Sequence, residues 1–246
     1  MKKILFACDL DNTLIHSHKH RADGDICIEI YNDKEQSFIS SRAVELLTEI
    51  NSKILFVPVT TRSIEQYKRI QWIEGIQPKF AVTSNGANLI HGGEIDLNWR
   101  QDFYKFIQPY KNELLTLQEK LSQDKNFSIC RIVDESFLFL KFTDDADKNK
   151  ILSELQAATN LVVQNTGAKI YMFPPNLTKG AALFKLKEIF NPEKTLAAGD
   201  SFIDIPMLKI ADVAFAHSDL KLQHENLIEF ETADFLERLK IEIAEF

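Results

Sequence analysis

Carboxylates, hydroxyls and one amine recur where short apolar runs of this chain end. Asp9-Leu10-Asp11-Asn12-Thr13 follows the run 3–8, and Thr60-Thr61-Arg62 follows the run 53–59. Ser84-Asn85-Gly86 follows residues 80–83, and Gly199-Asp200-Ser201, with Asp204 close behind, follows residues 195–198. Lys179 stands at the start of a helical stretch. In an open parallel sheet, ligands bind beyond the carboxyl ends of the strands. Neighbouring strands would therefore bring three or four carboxylates, several hydroxyls and an ammonium to one pocket. Carboxylates that close repel one another and need a cation, and an all-oxygen donor set favours Mg²⁺ over Zn²⁺. Such a cation, a lysine and hydroxyl or backbone N–H donors together make a site for a phosphate group. One Asp there can attack phosphorus, forming an aspartyl-phosphate. A second, two residues on, can donate a proton to the leaving oxygen and later activate water.

These groups converge only if the elements before them are adjacent. Runs 3–8 and 53–59 are continuously apolar, as expected of strands buried on both faces, and 80–83, 195–198 and 213–216 read alike. Helical spacing links them. Ala43, Leu46, Leu47 and Ile50 follow a cap at Ser41, and Ser63-Ile64-Glu65-Gln66 is a capping box before Ile64, Tyr67, Ile70 and Ile73. Residues 178–190 form a helix stopped by Asn191-Pro192, and 203–210 form another. Residues 26–31 and 36–39 flank Asn32-Asp33 as a small hairpin. The alternation predicts an α/β core with a parallel sheet. From about Asn88 the pattern changes to a long helix over 102–121 and an antiparallel pair, 127–133 and 137–142, turning at Asp134-Glu135. A helix over 146–159 and strands 161–164 and 169–173 follow, and Pro174-Pro175 marks the exit. The layout reads as one core, residues 1–87 and 175–246, interrupted by an α+β insert, residues 88–174.

Composition narrows the function classes. The 246 residues are 45% apolar and 26% charged, with a net charge of −7. These are values of an ordinary globular chain, and a poor match to nucleic acid or an acidic membrane surface. Cys8, Cys27 and Cys130 form no CxxC pair, so neither a disulfide framework nor a cysteine-based zinc site is signalled. Met1-Lys2-Lys3 precedes only five apolar residues before Asp9, too few for a leader, and no run approaches a membrane span. A cytoplasmic location is expected, with a small phosphorylated molecule as partner and neither nucleic acid nor membrane.

With these motifs the chain resembles the haloacid dehalogenase superfamily of phosphatases. The group is the one whose C2-type (IIB) cap is inserted between the second and third motifs. Sucrose-phosphatase-like and Cof-type sugar phosphatases belong there. The first motif is Ala7-Cys8-Asp9-Leu10-Asp11-Asn12-Thr13-Leu14, and Val59-Thr60-Thr61-Arg62 resembles the family's Thr-Gly-Arg. Ser84-Asn85-Gly86-Ala87 precedes the cap; Lys179-Gly180-Ala181-Ala182-Leu183 is the third motif, and residues 199–208 the fourth. The resemblance implies a Rossmann-like parallel-sheet core with an inserted α+β cap. It implies Asp9 as nucleophile and Asp11 as general acid/base, with Mg²⁺ held by Asp9, the Asp11 carbonyl and Asp200. Thr60 and Lys179 would hold phosphoryl oxygens, with the backbone around Thr61 and Asn85 nearby and Asp204 in support. Three departures stand out: Ile203 where the group usually has Asn, Asn12 and Thr61 where Gly is usual, and a longer segment 15–40. The function implied is Mg²⁺-dependent hydrolysis of a phosphorylated metabolite, a sugar phosphate by analogy. Alternatives are a phosphomutase or a non-catalytic phosphate binder. Substrate choice falls to the cap, where Arg131, Lys141 and Lys169 are the basic candidates.

Plainer readings compete with some of these residues. An EF-hand loop from Asp9 fails, because its sixth position is Leu14 and its twelfth His20. His16, His18 and His20 lack a fourth ligand and read as a solvated loop rather than a zinc site. Asp144-Asp145-x-Asp147 reads as a helix start. Signatures of P-loop, dinucleotide and serine-hydrolase sites are missing.

Overall fold

A computed structural model describes residues 4–231 and 235–246; the Met1-Lys2-Lys3 opening lies outside the described residues. Strand β1 (Ile4–Cys8) is buried along its whole length. The chain then forms a three-stranded antiparallel sheet from β2 (His16–Ser17), β3 (Ile26–Tyr31) and β4 (Lys34–Ile39). Asn32 and Asp33 turn its hairpin at φ 50° and 58°, left-handed values that Asn and Asp tolerate. Helix α1 (Ser41–Ile50) buries the four expected residues, but its cap is Ser40, whose Oγ accepts the Ala43 N–H at 3.1 Å. Strand β5 (Ile54–Pro58) leads to α2 (Ile64–Lys68), which starts with the expected capping box.

Strand β6 (Phe80–Thr83) corrects one expectation. It pairs antiparallel with β7 (Asn88–His91), itself paired with β8 (Glu94–Ile95), and joins the parallel sheet through an isolated bridge from Val59 to Val82 rather than a ladder. Val59 donates to Cys8 and Thr60 to Val82. By that alternation Pro58 would donate toward β6, and it has no N–H to give. The long helix expected over 102–121 is two, α3 (Leu97–Ile107) and α4 (Lys111–Leu121), parted at Pro109 for the same reason.

Strands β9 (Phe127–Val133) and β10 (Phe137–Phe142) follow, then helix α5 (Lys148–Ala158) and strands β11 (Val162–Thr166) and β12 (Lys169–Phe173). They make an antiparallel sheet in the order β11-β12-β10-β9, with α4 and α5 packed on it. Asp147 caps α5, accepting the Lys150 N–H at 3.2 Å, so the acidic run is a helix start as read. Helix α6 (Lys179–Phe190) ends on Asn191 at φ 44°. Then come β13 (Lys194–Gly199), α7 (Ile205–Leu208), β14 (Val213–His217), β15 (Leu227–Phe230) and α8 (Phe235–Ala244). The sequence reading lacked the last two. Phe235, Leu236, Leu239 and Ile243, all buried at helical spacing, were the available signal for α8.

The central sheet is wholly parallel, in the order β15-β14-β13-β1-β5. Alternate residues of β1 face opposite cores. Leu5 and Ala7 join Val57, Leu183 and Met207, while Ile4, Phe6 and Cys8 join Leu46, Phe56 and Phe235. Because β1 lies between β5 and β13, the chain leaves it in opposite directions on its two sides. Its carboxyl end is the switch point where such sheets bind ligands.

Candidate active site

At that switch point the buried Lys179 ammonium, 1% exposed, donates to Asp9 Oδ1 and to Asp204 Oδ1, each at 2.5 Å. Asp9 follows β1, its N–H bonded to Ala198 O on β13 at 2.9 Å. Lys179 opens α6 after Thr178, whose Oγ1 accepts the Ala181 N–H at 3.0 Å. Asp204, fully buried, is aimed by the Ser201 N–H at 2.9 Å and Oγ at 2.7 Å. Two glycines permit this approach. A Cβ on Gly199 would lie 2.4 Å from the Asp204 Cβ, and one on Gly180 2.5 Å from the Pro206 carbonyl oxygen. Thr13 Oγ1 donates to Asp200 at 3.1 Å. Asn12 turns this loop at φ 66°, a conformation open to Asn as well as to the Gly usual there.

One ammonium here faces three carboxylates. Burial pushes the Asp9 carboxyl well above the ordinary range; Lys179 pulls it back, and Asp204 and Asp200 push it further up. Asp200 is raised by burial and then by the charge of Asp204. Burial disfavours the charged Lys179, but Asp204 and Asp9 outweigh this and keep it protonated. Asp9, Asp200 and Asp204 each offer an oxygen within 4.8 Å of the others. Three convergent carboxylates with uncompensated charge fit a hard divalent cation such as Mg²⁺.

Asp11 is held by a different cation. Arg62 grips it through Nε and Nη2, both at 2.8 Å, and reaches Glu29 through Nη1 at 2.7 Å. Burial pushes Asp11 up, but the guanidinium more than offsets this and holds the carboxyl below its ordinary range. Glu29, on the β3–β4 hairpin, also accepts from Ser37 at 2.6 Å and Arg69 at 3.0 Å. Sequence reasoning gave no role to Arg62, Glu29 or Ser37. The extra length of segment 15–40 was the one signal, since it builds the sheet carrying Glu29.

Glu29 carries a prediction. Burial raises its carboxyl, but Arg62, Ser37 and Arg69 together hold it below the ordinary range. A carboxyl lowered on folding stabilises above its unfolded pKa, about 4.3, and loses that as pH falls through the folded value. Glu29→Gln is expected to lose about 3 kcal/mol at pH 7. It should also lose less of its remaining stability than the parent on acidification from pH 5 to 3. Parallel Tm curves over that range would show that Glu29 carries no ionised pair.

A cavity of about 50 Å³ is lined by Asp9, Asp11, Thr61, Lys179, Asp200 and Ile203 from the core side, and by Thr166, Lys169 and Tyr171 from the insert. The Tyr171 hydroxyl is pushed up to about 12, by burial and then by Asp11, so it stays a neutral donor beside Thr61. Thr60 is buried; its Oγ1 accepts the Arg62 N–H at 3.1 Å, and Thr61 rather than Thr60 lines the cavity. Asn85 is also off the cavity. At φ 59° its amide donates to Leu177 O at 2.8 Å, tethering the segment before Lys179. The insert docks at the β9–β10 turn, where Asp134 accepts the Ile64 N–H at 2.8 Å and the Ser84 hydroxyl. A larger cavity, about 510 Å³, shares Asn12 and Asp200 with the smaller one but is not lined by Asp9, Asp11 or Lys179. Its His16 is bonded to Asp25 at 2.7 Å, and His18 and His20 are exposed, as a solvated loop would have them. Of the cap candidates, Lys169 lines the smaller cavity, while Arg131 and Lys141 do not.

A family model described as haloacid dehalogenase-like hydrolase matches residues 98–221, half of the chain. Among solved structures, the sucrose-phosphatase of Synechocystis in complex with sucrose and phosphate aligns with a TM-score of 0.68 at 17% identity, covering 99% of both chains. The trehalose-6-phosphate phosphatase C-terminal domain of C. albicans gives 0.61 at 13% identity, covering 100% of this chain and 93% of that one. A haloalkanoate-superfamily phosphatase of Bacteroides thetaiotaomicron gives 0.56 at 16%, covering 100% and 96%. At these identities the likeness establishes the fold. No curated protein matches the chain. Among the described residues no helix is long and apolar enough to cross a membrane.

Proposed function

The chain belongs to the haloacid dehalogenase-like hydrolases, and on that premise we propose that it hydrolyses a small phosphate monoester, a sugar phosphate in class, with Mg²⁺. The observation that carries the reading is the buried Lys179 held between Asp9 and Asp204, with Asp200 adjoining, at the switch point of the sheet. The sugar-phosphate class is supported by the named sucrose and trehalose phosphatases of the same fold.

In this reading Asp9 Oδ attacks phosphorus and forms the aspartyl-phosphate, and Lys179 steadies the charge on the phosphoryl oxygens. Asp9, Asp200 and the Asp11 carbonyl would hold Mg²⁺, with Asp204 beside them; when bound, the ion neutralises the phosphate dianion and the clustered carboxylates. Asp11 in the grip of Arg62 is the ionised form, suited to taking a proton from the attacking water. To protonate the leaving oxygen it must first come away from Arg62 and take up a proton from solvent, and it regains a proton from the attacking water in the second step. Thr61 and Tyr171 supply hydroxyl donors at the cavity wall, and Thr60 and Asn85 shape the loops that carry Arg62 and Lys179. The core is residues 1–87 and 175–246, with 88–174 as the inserted cap. Within the cap the β9–β12 sheet is the part over the cavity. A cavity of about 50 Å³ is well below the range of about 300–1,000 Å³ usual for small-molecule sites. Lifting of the cap from Asp134's contacts would widen this cavity for the substrate.

Phosphate release from 4-nitrophenyl phosphate and hexose phosphates in Mg²⁺ tests the reading, with product analysis separating hydrolysis from phosphoryl return to the sugar. Activity is expected to vanish in EDTA and to return with Mg²⁺. Undiminished release after thorough chelation would refute the metal's part; no release from any ester would refute the enzyme.

A further inference from the structure

The sheet over the cavity shows two unlike faces. Leu138, Leu140, Ile170 and Met172 are buried on the face that packs with α4 and α5. The register places the opposite face in rows: Gln164, Tyr171, Phe139 and Arg131 in one, Thr166, Lys169, Lys141 and Ile129 in the next. Tyr171, Lys169 and Thr166 of these rows line the catalytic cavity, so this is the face turned to the site. Lys169 and Lys141 stand directly opposite each other, where like charges repel, with Arg131 diagonal to Lys141. No carboxylate stands in either row, and none of the three cations makes an ion pair among the described residues. Arg131 lies over the Phe139 ring at 5.7 Å, and Phe139 meets Tyr171 edge-on at 5.4 Å.

We infer that Lys169, Lys141 and Arg131 form a subsite for a second anionic group, carried by the leaving part of the substrate. This rests on the phosphatase reading and narrows its substrate class to doubly anionic sugar phosphates. The cavity admits the reacting phosphate but not the rest of a sugar, which must extend along this face. The Tyr171 and Phe139 rings, 5.4 Å apart, then offer an apolar floor for the sugar. Beyond them Arg131, Lys141 and Lys169 are the charged groups of these two rows, in a chain whose net charge is −7. A phosphate or a carboxylate there would relieve the mutual repulsion of the cations and accept charge-assisted hydrogen bonds.

The test compares kcat/KM of the parent and of Arg131→Gln/Lys141→Gln on four probes: 4-nitrophenyl phosphate, glucose 6-phosphate, fructose 1,6-bisphosphate and 6-phosphogluconate. Both substituted side chains are exposed, and Lys141→Gln removes a repulsion, so the variant should fold. The parent should prefer the bisphosphate or the sugar acid over glucose 6-phosphate by about tenfold or more, as one charge-assisted bond implies. The variant should lose that preference while its aryl phosphate rate stays within about twofold, a rim distance from the chemistry. The bisphosphate arm identifies phosphate as the second anion and the phosphogluconate arm a carboxylate. Equal kcat/KM on singly and doubly charged sugars, or a uniform loss on all four probes, overturns the subsite. If the parent hydrolyses none of them, the phosphatase reading fails instead, and calorimetric binding of 6-phosphogluconate decides the subsite: weaker in the variant supports it, unchanged overturns it.

Discussion

Asp9→Asn is expected to leave a folded protein whose phosphate release falls to background, a loss on the order of 10⁴-fold or more. The substitution preserves volume and removes, among the described residues, the carboxylate that both touches Lys179 and lines the cavity. Stability should move the other way. In metal-free buffer Asp9 shares a buried cluster with Asp200 and Asp204 against a single ammonium, so removing one negative charge relieves repulsion. Tm of the variant in EDTA is expected to equal or exceed that of the parent, while the Tm gain on adding Mg²⁺ shrinks. Substantial residual turnover would refute covalent catalysis through Asp9. A lower Tm in EDTA would show that the Lys179 bond outweighs the carboxylate repulsion.

Lys179→Met should cost both activity and stability. It strands Asp9 and Asp204, 6% and 0% exposed, without the ammonium that now bridges them. Breaking a buried pair from one side costs about 3–5 kcal/mol, which for a domain of this size lowers Tm by about 10 °C. Lys179→Met/Asp204→Asn separates the two roles. It should recover much of the lost Tm, because one stranded charge is gone, yet remain inactive, because nothing replaces the ammonium at the phosphoryl oxygens. If the double variant were no more stable than Lys179→Met, the buried charge would not be what destabilises the single one. If either retained turnover, Lys179 would have no part in the chemistry.

The two variants also mark what was legible without the structure. The types of groups, their order along the chain and their placement at strand ends were all readable from the residues. So were the capping box Ser63–Gln66 and the stop of α6 at Asn191, because capping and left-handed turns depend on a few consecutive residues. Asp9 and Lys179 are 170 positions apart, and only the placement of β1 between β5 and β13 makes them neighbours. The grip of Arg62 on Asp11 and Glu29 joins the turn after β1 to the loop after β5 and a hairpin of another sheet, so no local periodicity encodes it. The same holds for the face that carries Lys169, Lys141 and Arg131. Each strand's alternation could be read, but which side met the cavity was set when the apolar side went to α4 and α5. Sequence by itself determined the chemistry available and the elements that carry it. Tertiary structure decided which charges meet, because long-range pairing is chosen by burying apolar faces and neutralising the charges buried with them.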